Sequence, residues 1–415
     1  MSELLTTQEA ARRLGVKPQT VYAYVSRGLL ERDPASAHRR SLFSAGAVER
    51  LAARSRRPNR SGALDVVIET ELTALDPAGR LFYRGRDVIE LARYRSFEDV
   101  AGLLWDGDPL APWELDAAGR QLISALRAAL PPGTTGVDAL PIVVAGLAAI
   151  DDRRADRRPE AVRRAGARIL AGALAILGDD DESSGDRSAA FRLCQALRHA
   201  PGATRPAQVA ALNAALVSLA DHELAASTLA ARVAASAWAD PYRVVLAGLG
   251  PLGGMLHGAA ALAVEALLDE IESPEVAFEV LDRRLLGGGR VPGFGHRVYR
   301  DRDPRADHLL GVTLGASWSP KSGPQGVSAR LGAVTDDPQL PARVEAALAA
   351  ATALGLPAPN VEFALAALCH AIRLRPGSSS TIFAFARIAG LLAHGLEEYP
   401  HRLRFRPRAT YVGPR

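Results

Sequence analysis

Three histidines stand in settings where an imidazole could do chemistry. Gly293-Phe-Gly-His296 places one in a loop whose glycines allow backbone to approach a ligand closely. Arg297, Arg300, Arg302 and Arg305 follow it, a set of guanidinium forks suited to an anionic ligand. Gly250-Pro-Leu-Gly-Gly-Met-Leu-His257-Gly258 ends a glycine-rich stretch and leads into a helix expected over Ala259–Ile271. A histidine at a helix N-terminus is held neutral by the dipole and can donate a hydrogen bond to a developing oxyanion. Asp221-His222-Glu223 lies within a long helical pattern. Taken singly, each has a plainer reading: a solvated basic loop for His296, a capping histidine for His257, a surface or satisfied core residue for His222. No GxGxxG or P-loop occurs, and Leu286-Gly-Gly-Gly-Arg290 matches neither. Cys194 and Cys369 form no CxxC pair and no cluster at zinc spacing, so neither a disulfide framework nor a bound metal is expected.

The elements that must position these residues are helices. The 415 residues are 48% apolar, enough for more than one folded domain with a large core. Helical periodicity runs through Ala207–Trp238 and Leu340–Leu354, whereas β-branched alternation is scarce and Asp65–Thr70 is the best short strand candidate. Gly178–Arg187 and Ser317–Gly326 read as surface loops. The N-terminus has no basic flank before an apolar run, and Pro141–Ile150 falls short of the ~20 apolar residues of a membrane span. A cytoplasmic protein that meets no membrane is expected.

Charge divides the chain. Residues 1–60 hold 12 Arg/Lys against five Asp/Glu, while the rest hold 38 against 41, so a basic head sits on a mildly acidic body. Such a head suits a polyanion. Within it Thr6 to Glu9 reads as a capping box, Gly15 ends a first helix, and a second opens at Pro18 and stops at Gly28. Helix, glycine-containing turn, helix is the helix-turn-helix layout. Leu5 to Arg54 resembles the DNA-binding domain of the MerR and excisionase families. The resemblance places Gln19, Thr20 and Tyr22 at the groove-reading start of the second helix and Arg27, Arg39 and Arg40 near phosphates of double-stranded DNA. A small helical protein-interaction module is the alternative. Arg54–Gly62, polar and basic with Pro and Gly, reads as linker.

From about Leu64 onward the chain resembles citrate synthase and 2-methylcitrate synthase, with motifs in the family's order. Leu81-Phe-Tyr-Arg-Gly-Arg-Asp87 and Phe97–Leu104 look like its early segment, and Ala220-Asp-His-Glu-Leu224 with Ser227-Thr228 and Ala231-Arg232 like its oxaloacetate-histidine region. His257-Gly258, Pro292–Tyr299, Asp303–Ala306, Asn360-Val361, Phe385–His394 and Arg406–Pro414 follow. The resemblance implies an all-α, multi-helical body behind the small head. Its expected divisions are 1–55 for the head, 56–62 for the linker, 63–258 with 373–415 for a large domain, and 259–372 for a small one. It also implies a reaction, the condensation of acetyl-CoA, or propionyl-CoA, with oxaloacetate. His257 would donate to the enol(ate), His296 to the oxaloacetate carbonyl, and Glu362 would be the base. His222, Arg305 and Arg387 would hold oxaloacetate, with Arg406 reaching in from the second chain of a homodimer. Arg300, Pro292, Gly293 and Gly295 would meet CoA, a co-substrate, so no tightly bound cofactor and no metal are implied.

Three positions depart from the family pattern. Glu362 stands where the family carries an aspartate base, Ala225 where an asparagine is usual, and Gly258-Ala-Ala-Ala261 where Gly-Gly-Ala-Asn is usual. Displacing a reacting group by about 1 Å costs on the order of 10²-fold in rate, so these changes imply altered substrate choice or reduced activity. Two functions therefore stand side by side: an active synthase carrying a DNA-binding-like head, or a transcription regulator whose weakened synthase body senses a metabolite.

Overall fold

The computed structural model describes residues 4–14, 18–26, 30, 32–33, 41–48, 68–76, 79–108, 113–178, 185–200, 202–254, 257–258, 260–286, 290–299, 301–315, 334–335, 337–402, 404–406 and 411. The chain divides into two compact units, Met1–Glu69 and Thr70–Arg415.

In the first unit, helix α1 (Thr7–Leu14) packs on α2 (Pro18–Ser26). The capping box forms: the Thr6 amide donates to Glu9 Oε2 at 2.8 Å, and the Glu9 amide to Thr6 Oγ1 at 3.4 Å. Strands β1 (Leu4–Thr6) and β2 (Leu42–Ser44) pair antiparallel, with Leu5 opposite Phe43. Three-residue strands are too short to show alternation, so this pair was not visible in the sequence. Leu5, Ala10, Ala11, Val21, Leu30 and Phe43 make a small core of their own.

The second unit begins with a three-stranded antiparallel sheet, β3 (Thr73–Leu75), β4 (Leu81–Tyr83) and β5 (Arg86–Asp87). The strand expected at Asp65–Thr70 does not form over 68–70, and its first three residues lie outside the described ones. Helices follow: α3 (Val88–Tyr94), α4 (Phe97–Leu104), α5 (Ala117–Ala129), α6 (Gly136–Ala149), α7 (Pro159–Leu177), α8 (Ala189–Leu197), α9 (Pro206–Leu219), α10 (Ala226–Ser236) and α11 (Pro241–Leu252). Next come α12 (Ala260–Glu270), α13 (Ala277–Leu286), α14 (Pro304–Leu314), α15 (Leu340–Ala353), α16 (Val361–Ala371) and α17 (Ser378–Glu398). Their starts are written locally. Asp87, Ser96, Asp116, Thr135, Ser188, Asp240, Asp303 and Asn360 each cap a helix by accepting from a backbone amide.

Helix α17 is the axis of the body. It is long and apolar enough to cross a membrane, yet it is buried on every face except at Leu396 and Glu397, with α7, α9, α10 and α11 packed around it. Gly390 is required there. A Cβ at this position would collide with the Ala220 carbonyl and the Asp221 carboxylate.

The pattern from Ala207 to Trp238 is not one helix. It breaks between α9 and α10, where Glu223 takes a left-handed φ of 54°. The break arises from contacts distant in sequence. The Asp221 amide donates to Tyr83 Oη at 3.1 Å, and that hydroxyl donates back to the Asp221 carbonyl at 2.8 Å. Helical periodicity cannot register such a tether.

Candidate active site

The break between α9 and α10, the turn before α12, the loop before α14, and the helices α16 and α17 converge on one polar basin. Asp303 is the N-cap of α14, and Pro304 fixes the first helical φ. The Asp303 carboxylate accepts from the Arg305 amide and Nε at 3.0 Å, from Arg305 Nη2 at 2.8 Å and from the Val361 amide at 3.1 Å. Burial works against the charge on Arg305, but Asp303 outweighs it and holds the guanidinium above its usual range. Arg305 is thus a cation held in place through Nε and Nη2.

His296 faces it. Its Nδ1 accepts from the Val298 and Tyr299 amides at 3.0 and 3.2 Å, which leaves a neutral ring with its proton on Nε2. That Nε2 lies 3.4 Å from Arg305 Nη2, so two N–H groups point into the same region. Burial and then Arg305 push the His296 pKa down to about 4, so the ring remains a neutral donor at physiological pH. Its centroid is 5.2 Å from that of His222, whose Nε2 lies 3.1 Å from Tyr299 Oη. Burial, then Arg305 and Arg387, hold His222 far below its usual pKa.

His257 occupies the turn ahead of α12 and its carbonyl accepts from the Ala260 amide at 3.0 Å. Its Nε2 is 2.9 Å from Ser227 Oγ at the start of α10. The pKa falls to about 4, through burial first and the Arg387 charge second, so neutrality has firmer causes than the helix dipole expected from sequence. Arg387, on α17, lies with its Cζ 5.0 Å from the Phe383 ring centre, and the His257 ring centroid is 6.1 Å from the same ring.

Two groups in this basin are buried and unsatisfied. Arg387 donates through Nε to the Leu219 carbonyl at 3.0 Å, but its Nη1 has no hydrogen-bond partner, and among the described residues no carboxylate pairs with it. Glu362, in the first turn of α16, has a sealed Oε2 with no partner. Burial raises its pKa, which Arg305 only partly offsets. A carboxylate made more basic and a cation left open are costly for a core and suit a site awaiting an anion.

The loop glycines act on Glu362 through the chain. Gly293 and Gly295 adopt φ of 87° and 81°. The Gly293 carbonyl accepts from the Asn360 amide at 2.9 Å, the Gly295 amide donates to the Ala358 carbonyl at 2.8 Å, and Asn360 Nδ2 donates to the Gly295 carbonyl at 3.0 Å. The His296 loop is therefore lashed to the N-terminus of α16, and Pro292 is half-buried within it. Arg406 lies exposed on the C-terminal tail, away from any hydrogen bond with this basin. Arg300 lies outside the described residues, as do Arg27, Arg39 and Arg40 of the head. Gln19 and Thr20 belong to α2, but their side chains lie outside what is described; Tyr22 is exposed, with Arg32 Cζ 5.9 Å over its ring.

Ser227, Tyr299 and Asp303 were given no individual role from sequence. For Asp303 a signal existed, since Asp-Pro before an apolar run marks a helix start. Ser227 and Tyr299 have none, because their partners are 30 and 77 residues away.

Most of the chain is similar to known proteins. The family model described as citrate synthase, C-terminal domain, matches residues 63–408, and a helix-turn-helix domain model matches 4–56. Citrate synthase 2 of Bacillus subtilis is 32% identical over 358 residues, covering 80% of this chain and 90% of that protein. A 2-methylcitrate synthase of Mycobacterium tuberculosis is 30% identical, covering 85% and 90%. Among solved structures, the ternary complex of carboxymethyl coenzyme A and oxaloacetate with the Thermoplasma acidophilum citrate synthase is similar, with a TM-score of 0.64 and 26% identity. That likeness covers 84% of this chain and 94% of the solved one.

Proposed function

The chain belongs to the citrate synthase family, and we propose that its basin condenses an acyl-CoA with oxaloacetate to form citrate or 2-methylcitrate. The observation that carries this is the buried Arg387, whose Nη1 lacks any partner beside three histidines held neutral. Arg387 and Arg305 take the two carboxylates of oxaloacetate, together with His222. His296 Nε2–H donates to the ketone oxygen. Glu362 removes a proton from the carbon next to the thioester carbonyl, and His257 donates to the enolate oxygen that results. The enolate carbon then bonds to the ketone carbon, and the new alkoxide takes up a proton. Water cleaves the thioester, releasing CoA and a carboxylate. The CoA moiety is met by Pro292, Gly293 and Gly295 with Arg300, and no tightly bound cofactor takes part.

The extra methylene of Glu362, with alanine rather than asparagine at 225 and 261, changes the reach of the base and removes polar groups, which favours an altered acyl preference. Residues 259–372 act as a small domain over a large one formed by 63–258 and 373–415. In support, α12, α14 and α15 each pack on α16. We infer a cytoplasmic homodimer, with citrate bound for the tricarboxylic acid cycle and Arg406 completing the site of the second copy. Exposed Ile142, Ile150, Val233 and Trp238 supply apolar surface for such a pairing, and both cysteines are buried free thiols, as a reducing compartment allows.

The test is CoA release from acetyl-CoA and propionyl-CoA with oxaloacetate. Turnover in the wild type that is lost in Glu362→Ala supports the reading; no release with either thioester sinks it. A second reading concerns the head, which matches a helix-turn-helix model and carries a strongly basic sequence. It binds double-stranded DNA through α2, with Gln19, Thr20 and Tyr22 toward bases and Arg27, Arg39 and Arg40 toward phosphates. A gel-shift titration against genomic fragments, with and without oxaloacetate, checks it. Uniformly non-specific affinity at moderate salt would contradict it.

A further inference from the structure

Behind the basin runs a buried chain of charges that the proposed reaction leaves unused. Arg232 on α10 is completely buried. Its Nη1 donates to Glu398 Oε2 at 3.0 Å, its Nη2 to Glu397, and its Nε to His394 Nδ1 at 3.1 Å. A donor on Nδ1 leaves the imidazole proton on Nε2, which faces Asp221 Oδ2 at 3.2 Å. Thr73 Oγ1 donates to that same oxygen at 2.5 Å. Arg232, His394 and Asp221 are all buried without solvent access. Burial works against the charge on Asp221, but His394 and Arg387 outweigh it and hold the carboxyl below its usual range.

Asp221 directly precedes His222, and the strand of backbone around both is tied at every step. The Leu219 carbonyl accepts from Arg387 Nε at 3.0 Å, the Ala220 carbonyl from the Gly390 amide at 3.1 Å, and Asp221 is clamped by Tyr83. Asp221 Oδ1 has no partner. An ionised carboxylate so placed stabilises the neighbouring Arg387 charge without occupying Arg387 Nη1, which a direct salt bridge would have taken.

We propose that Arg232, His394 and Asp221 form a positioning relay for the keto-diacid half of the site. Arg232 sets the tautomer of His394, His394 keeps Asp221 ionised and oriented, and Asp221 fixes the His222 turn and keeps Arg387 charged but open. The relay rests on the oxaloacetate reading above and touches no substrate itself. Asp221 adjoins His222 and the tie of Arg387 to Leu219, so its loss falls first on oxaloacetate.

The experiment measures KM for each substrate, kcat, and the calorimetric Kd of oxaloacetate on the full-length protein. Asp221→Asn and His394→Leu should raise the oxaloacetate KM and Kd between about tenfold and 100-fold, as a displaced positioning group does, with the acyl-CoA KM unmoved. His394→Gln, whose amide can accept from Arg232 and donate to Asp221, should restore oxaloacetate binding to within a few-fold of the wild type. Should the first two variants fail to fold, Thr73→Val still strips one hydrogen bond from Asp221 and should weaken oxaloacetate binding several-fold. Wild-type oxaloacetate affinity in Asp221→Asn or Thr73→Val would overturn the relay, as would an equal rise in both KM values. A wild type that binds no oxaloacetate would instead overturn the functional reading on which it rests.

Discussion

The two cations of the basin are built in opposite ways. Arg305 sits beside its own counter-ion, with Asp303 taking its Nε and Nη2 and the helix α14 holding both. Arg387, equally buried, has a single backbone carbonyl and an empty Nη1. The first is paired before any ligand arrives, so it contributes a fixed geometry. The second is charged and incompletely satisfied, so a bound carboxylate relieves a cost already present in the fold. The same contrast separates His296, whose Nδ1 is satisfied by two amides, from Glu362, whose Oε2 meets nothing. One side of the site is assembled for orientation and the other is left open for reaction.

Substitutions can break this contrast. Glu362→Gln should lower kcat by about 10²–10⁴-fold, the usual worth of a general base, with little change in oxaloacetate affinity. Steady-state CoA release checks it. Arg305→Leu should cost about 3–5 kcal/mol of stability, because it strands the buried Asp303 charge. Arg387→Leu should cost less stability than that, since its charge has no direct salt bridge and its Nη1 is open, although the Leu219 carbonyl and Asp221 lose a partner. Paired thermal melts compare the two, and equal losses would mean that both cations are paired alike. Ser227→Ala takes away the hydroxyl beside His257 and should slow turnover by about tenfold or less, with both KM values preserved.

Acid affects stability and activity through different groups. His257 and His296 titrate near pH 4 in the fold against an ordinary value of 6.5. Between those values the unfolded chain takes up protons that the folded chain does not, so stability falls as pH drops through that window. The rings themselves remain neutral donors there. The acid limb of kcat should therefore follow Glu362, above the ordinary 4.5, because burial raises its pKa. A limb that survives unchanged in any active Glu362 variant would contradict this assignment.

Much of the site was legible because the family motifs are local strings. His257, His296 and Arg305 each lie within a few residues of their glycines, or of an Asp-Pro helix start, and a helical body follows from Ala/Leu periodicity. What remained hidden depends on pairing across the chain. Asp221 and His394 are 173 residues apart, and Arg232 and His394 are 162 apart, so no spacing rule links them. The break at His222 escaped notice for the same reason: apolar periodicity continues through it, and only the distant Tyr83 and Thr73 show why the helix stops. In the head, the capping box was readable, whereas a pair of three-residue strands carries too little pattern to be seen.

The open cation is the most direct point of attack. Calorimetric titration of oxaloacetate into the wild type and Arg387→Leu, alongside thermal melts of both, isolates it. The variant should lose about 100-fold or more in affinity, as removal of a charged partner costs about 2–5 kcal/mol, while its melting temperature falls less than that of Arg305→Leu. Undiminished affinity in a well-folded variant would contradict the claim that oxaloacetate completes Arg387.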